Sequence, residues 1–286
     1  TVDQMRFTIR SHWAAQTSSA ASTAPVDLGP MPKWNLSDLY PAPDSPEIER
    51  DFATAAAEAK RLRETYQGKL VAMGRDGAAL AEAVQAYEKL ADLMGRLGSY
   101  AGLLYAADQS DPARAKFYGD TSERLTNISK DLIFFELELN QIDDTDLAEA
   151  LKDPALARYK PWFDDLRREK PHQLDEKLEQ LFHEKSQTSR AAWDRLFNET
   201  MAALRFPVEG EPEPLPLEPT LNLLTNPDEN RRRAAAEALA QVFKENLRLF
   251  TLITNTLAKD KEISDRWRNF KDVADSRHLA NRVEGP

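Results

Sequence analysis

The sequence predicts a mainly α protein: an array of antiparallel helices with one short β-hairpin. Three observations carry that prediction. Apolar residues recur at three- and four-residue steps over long stretches, helix-start signals punctuate the chain, and the connections between periodic segments are short. The hydrophobic fraction of 41% is enough to build a core, and the charged fraction of 30% is enough to cover it.

The first ordered segment is expected at Trp34-Asn35-Leu36-Ser37-Asp38-Leu39-Tyr40-Pro41, where Trp34, Leu36, Leu39 and Tyr40 serve as apolar anchors clamping onto the helices. Upstream, Met5 to Val26 holds no acidic residue and is rich in Ser, Thr and Ala. Residues 1–33 are read as a disordered tail, with a transit-type leader as the alternative.

Ser45-Pro46 opens a helix to about Tyr66, because proline at the first helical position lacks only an N–H that would be orphaned anyway. A second helix starts near Arg75 and buries Leu80, Ala83, Val84, Tyr87, Leu90, Met94, Leu97, Ala101, Leu104 and Tyr105 as one stripe. Asp111-Pro112 starts a third, whose stripe runs through Tyr118, Leu125, Ile128, Leu132, Phe135 and Leu139. Further helices are expected over Pro154–Lys170 and Leu174–Arg205, the latter broken near Thr188. Phe206, Val208, Leu215 and Leu217 are spaced for two short strands turning near Gly210, kept edge-like by the surrounding prolines. Beyond them, Asn226 caps a long helix with Pro227 at its first position, burying Ala235, Leu239, Val242, Phe243, Phe250, Ile253 and Leu257.

The function classes shrink quickly. With no cysteine, disulfides, thiolate zinc sites and cysteine nucleophiles are excluded. A net charge of −10, from 48 acidic and 38 basic residues, opposes non-specific binding to phosphate backbones. No window supplies the roughly 18 apolar residues of a membrane helix. Neither GxGxxG nor a P-loop occurs.

Four histidines remain: His12, His172, His183 and His278. His183-Glu184-Lys185-Ser186-Gln187 starts like HExxH, in which histidines at i and i+4 grip zinc and the glutamate activates its water. Position 187 is glutamine, so this reads as an ordinary helix turn, and Glu179 and His183 read as a helical i,i+4 pair. His278 lacks the surroundings of a triad. Arg231-Arg232-Arg233 reads as a solvated basic face.

Four stretches together resemble the oligoendopeptidase F family of zinc metallopeptidases, relatives of thimet oligopeptidase. They are WNLSDLYP at 34–41, KSQTSRAAWDRLFNETMAALRFPV at 185–208, TNPDENRRRAAAEALAQVFKENLRLFTLITNTLAKDK at 225–261 and DVADSRHLANRVE at 272–284. The resemblance implies a helical fold with a groove for short peptides, and hydrolysis by a zinc-bound water. In the family, an HExxH pair and a glutamate on a later helix hold the metal, the HExxH glutamate is the general base, and downstream His and Tyr residues stabilise the oxyanion. None of those motifs occurs here, so no catalytic, cofactor-binding or metal residue is assigned in this sequence. The resemblance divides the chain into a tail at 1–33, an N-terminal helical lobe at 34–205, and the truncated start of a catalytic domain at 206–286. The expected function is the N-terminal portion of a cytoplasmic zinc oligopeptidase acting on short peptides, inactive by itself, with neither nucleic acid nor membrane as partner. The alternative is a non-catalytic helical module that binds a peptide or protein.

Overall fold

The computed structural model describes residues 33–284. The expected tail at 1–33 therefore lies almost wholly outside the described residues. From Asn35 onward the chain forms one compact unit.

Helix α1 runs Pro46–Tyr66 with Pro46 at its first position, as expected. Ser45 occupies the cap position but makes no side-chain cap bond, and its Oγ is buried without a partner. The proline and the acidic first turn, Glu47 and Glu49, define this start instead. Asp76 caps α2 (Gly77–Ala107) by accepting from the Ala79 N–H at 3.0 Å. Gly77 lets the start of α2 approach the chain at Ala150 and Asp153: a Cβ there would lie 2.3 Å from the Ala150 carbonyl. Asp111 caps α3 (Pro112–Ser129).

These three helices form antiparallel hairpins. Arg96 of α2 meets Asp51 of α1, while Tyr105 stacks on Tyr118 at 4.9 Å and Gly98 lies beneath Leu125 across the α2–α3 seam. The predicted α2 stripe is largely the buried face: Leu80, Ala83, Val84, Leu90, Leu97, Ala101 and Tyr105 are buried, and Tyr87, Met94 and Leu104 are half-buried.

The leading segment clamps onto this array as expected, through Tyr40. That residue is buried against Ile48, Phe52, Leu97 and Tyr100, with Leu36 and Leu39 packed on the same cluster. Its hydroxyl donates to Asp51 Oδ2 at 2.9 Å and accepts from Arg96 Nε at 3.1 Å. Trp34, expected as an anchor, is 67% exposed: it precedes the turn that Asn35 organises by accepting from the Ser37 N–H.

After a 3-10 turn at Lys130–Leu132 come α4 (Ile133–Leu139), α5 (Asp144–Ala150), α6 (Pro154–Ala157) and α7 (Lys160–Glu169). The single helix expected over 154–170 is interrupted because residue 161 is proline, which cannot donate to the Ala157 carbonyl. Asn140, 1% exposed, ties α4 to α7 by donating from Nδ2 to the Leu166 carbonyl at 2.8 Å. Arg167 completes the knot, donating to the Leu139 and Ile142 carbonyls, to Asn140 Oδ1 and to Asp144 Oδ1 at 2.8–3.0 Å. A 3-10 turn at Lys170–His172 leads to α8 (Glu176–Ser186), and α9 (Arg190–Ala203) follows a break that includes Thr188, as expected.

The predicted hairpin is not formed. Among the described residues Phe206 and Leu215 make one antiparallel bridge, with N–H···O distances of 2.8 and 2.9 Å, and nothing extends it. Prolines at 207, 214 and 216 flank both partners and remove the donors a longer ladder needs. Leu217, expected in a strand, instead begins α10 (Leu217–Leu223), where Pro219 is tolerated in the first turn.

Asp228, rather than Asn226, caps α11 (Glu229–Glu245), accepting from the Asn230 N–H at 2.9 Å, while Asn226 braces the turn by accepting from the Asp228 N–H. The long helix expected after it divides at Asn246 into α11 and α12 (Leu247–Trp267). Asn246 Nδ2 donates to the Val242 carbonyl, competing locally with the backbone ladder. Ala235, Leu239 and Val242 join Phe206 and Val208 in a second core, separate from the main one. A last helix, α13, spans Asp275–Ala280. No described helix is long and apolar enough to cross a membrane.

Replacing Arg167 by Lys should destabilise the chain by about 2 kcal/mol, since a single ammonium cannot serve four acceptors and buried carbonyls would lose their partners. Urea denaturation checks this; an unchanged midpoint would show that water substitutes for the guanidinium.

Candidate functional site

A cleft of about 380 Å³ is framed by α4, α7 and its following 3-10 turn, α8, the end of α12, and α13. Ile133, Glu136 and Leu137 line it from α4, Glu169 from the end of α7, His172 from the 3-10 turn after it, and Glu179 and His183 from α8. Arg268, Phe270, Ser276 and Leu279 come from the C-terminal segment.

Its polar groups are mutually engaged. Glu179 accepts two hydrogen bonds from Arg268, each 2.7 Å, and a third from the Leu174 N–H at 2.9 Å. The i,i+4 partnership expected of Glu179 with His183 thus gives way to a bidentate pair with a residue 89 positions away. Its carboxylate holds the Arg268 guanidinium above its usual range. His172 stacks on Phe270 at 3.8 Å, and its Nδ1 lies 2.8 Å from the Arg268 carbonyl, which can only accept, so Nδ1 carries the proton.

Glu136 Oε1 accepts from the Tyr87 hydroxyl at 3.0 Å. Burial pushes its carboxyl above the ordinary range, Tyr87 partly offsets this, and Glu169 and Glu179 add like-charge repulsion. Tyr87 is raised too, by burial and then by the Glu136 charge. Glu169 is raised by burial and by Asp165, while Arg282 and Arg268 pull it down.

The residues singled out from the sequence hold helices together. His183 Nε2 lies 2.6 Å from Ser129 Oγ, Gln187 Nε2 donates to Thr126 Oγ1 at 2.8 Å, and Glu184 accepts from Lys130 at 3.3 Å. All three side chains dock α8 on the end of α3 and the turn after it. A Ser–His contact is half of a nucleophilic dyad, but Ser129 is not among the residues lining the cleft, and its Oγ also donates to the Thr126 carbonyl. His278 sits on α13 outside the cleft lining. Arg231, Arg232 and Arg233, expected as a solvated face, are engaged: with Glu211, with the Asn226 and Pro227 carbonyls, and with Glu229. They brace the loop before α10 and the start of α11. The groups that sequence reading missed are Glu136, Glu169 and Arg268, and no local motif marks them.

The described residues do not fit a zinc centre. Among the described residues, no three or more His, Asp or Glu are grouped to hold a metal ion, and His183 is already hydrogen-bonded. The chemistry within reach of the cleft is proton binding on raised carboxyls and electrostatic attraction.

The fold therefore defines a helical lobe built from hairpins, with a polar cleft and no metal-holding cluster among the described residues. Residues 138–206 match the family model described as Oligopeptidase F, a match that contains most of the 185–208 stretch noted in the sequence. In fold, the chain is similar to oligoendopeptidase-F from Enterococcus faecium, with a TM-score of 0.71 and 20% identity over 83% of this chain and 47% of that one. It is also similar to a Chlamydophila abortus protein provisionally named as a peptidase, with a TM-score of 0.53 and 13% identity over 88% of this chain and 42% of that one. This chain spans about half the length of those two structures. No curated protein matches by sequence. The resemblance to the N-terminal region of oligoendopeptidase F holds in sequence and in fold.

Glu136 gives a signed pH prediction. Its folded pKa lies above the unfolded value of about 4.3, so its favourable contribution is complete below that value and is lost as pH rises through the folded pKa. Glu136→Gln keeps an acceptor for Tyr87. It should melt higher than the parent at pH 8, with the two converging toward pH 4 in thermal scans. A variant equal to or below the parent at pH 8 would show that the ionised carboxylate is well accommodated.

Proposed function

We propose that these 286 residues are the N-terminal portion of a cytoplasmic, zinc-dependent oligoendopeptidase that hydrolyses short peptides. The observation that carries the reading is the family match over 138–206, joined to a fold likeness that extends over most of the chain. In this reading 34–205 is a helical lobe forming one wall of the substrate groove, and 206–286 opens the catalytic domain. Zinc, its ligands and the general base belong to residues outside this sequence, and no catalytic step is assigned to a residue within it.

The apolar surface supports that division. Leu247 and Leu252 on α12 are 60% and 54% exposed, and Trp267 is 46% exposed. α9 buries no residue fully, and α12 buries only Ile253. Such faces ordinarily pack on further structure.

Two measurements test the proposal. The nucleotide sequence following the codon for Pro286 should encode an HExxH segment; its absence from any continuation would overturn the peptidase reading. The purified 286-residue chain should not cleave a quenched fluorogenic oligopeptide. Turnover by this chain that a chelator abolishes would place the catalytic groups within it and overturn their assignment elsewhere.

A further inference from the structure

The stretch from Arg268 to Val283 is held differently from the rest of the molecule. No described residue after Ile253 is buried, α13 buries none, and Val273 and Val283 are 75% and 53% exposed. Apolar burial therefore contributes little to its attachment. Instead it is fastened by polar contacts near its two ends.

At the near end, Asn269 takes a left-handed conformation, φ 58°, and closes α12: the Phe270 N–H donates to the Asp265 carbonyl at 2.9 Å and the Asn269 N–H to Arg266 at 3.4 Å. That turn lays Phe270 on His172 and leaves the Arg268 guanidinium on Glu179 and over the Phe182 ring. The far end repeats the device. Arg282, φ 54°, closes α13, with the Val283 N–H donating to His278 at 3.1 Å. Arg282 Nε then reaches Asp165 on α7 at 2.9 Å. Between the two clasps Ser276, Leu279 and Ala280 flank the cleft that holds Glu136 and Glu169. The contact of Lys261 with Ser276, 2.8 Å, fastens α13 to α12 and not to the lobe.

We propose that residues 268–283 are a strap, latched to the lobe by the Arg268–Glu179 and Arg282–Asp165 clasps, that opens as a unit while α1–α4 stay folded and thereby uncovers the Glu136–Glu169 cleft. The clasps are unequal. The side chains of the first pair are 25% and 16% exposed, so water competes weakly; in the second, Arg282 is 70% exposed and contributes little. Opening begins at Arg282 and is completed by release of Arg268. The proposal concerns this chain's own mechanics and does not rest on the peptidase reading.

Hydrogen exchange on the whole chain, with chymotryptic cleavage at Phe270 as a second measure, tests it. Glu179→Gln should accelerate exchange over 269–283 and cleavage at Phe270 about tenfold, with α1–α4 unchanged. Asp165→Asn should give at most a twofold change. Unchanged exchange and cleavage in Glu179→Gln would overturn the strap. Equal acceleration throughout α1–α4 would show that the pair supports the whole fold instead.

Discussion

A helix ends with carbonyls that have no partner of their own, and at the end of α4 a single arginine supplies what is missing. Arg167 reaches back from α7 to the Leu139 and Ile142 carbonyls, to Asn140 Oδ1 and to Asp144. Asn140, buried beneath it, returns a bond to the Leu166 carbonyl. This exchange fixes α7 against α4 and so places one side of the cleft. Glu169 and His172 stand just beyond Arg167, so locking α7 sets them beside Glu136. Lys in place of Arg would carry the charge without the planar fork that serves several acceptors at once.

The two parts of the described chain are held by different physics. In the first, α1 to α7 interdigitate around buried Leu62, Leu80, Phe135, Leu139 and Phe163. In the second, a smaller core forms where Phe206 and Val208 meet α11. Phe250 of α12 makes edge-on aromatic contacts near 6 Å with Phe197 of α9 and with Phe243 of α11, with little fully buried surface. Where apolar burial is thin, ion pairs and caps take over the positioning. That is why the C-terminal segment is fastened at Arg268 and Arg282 and not by a side chain in a core.

Much of the helical organisation was legible in the sequence, because amphipathic period and capping chemistry are local properties. Pro46, Asp111-Pro112 and the α2 stripe mark their helices without help from the rest of the chain. Misreadings arose where local rules compete. Asn226 and Asp228 are both good caps, and the chain uses the second. Asn246 lies inside a periodic run and splits it through one side-chain bond to Val242. The alternation at 206–217 suggested strands, yet the prolines supplying the edge character also withheld the donors that strands require.

By itself the sequence determined where helices form, which faces they bury and which chemistries lack the residues to run. These depend on residue type and on spacings within a turn or two. Only the tertiary structure decided which charged groups meet. Glu179 had a local candidate in His183 but was taken by Arg268, 89 residues on; Tyr87 found Glu136, 49 residues away, and His183 found Ser129 at a separation of 54. Burial then raised the carboxyls of Glu136 and Glu169, an effect of surroundings that no spacing of residues along a helix encodes.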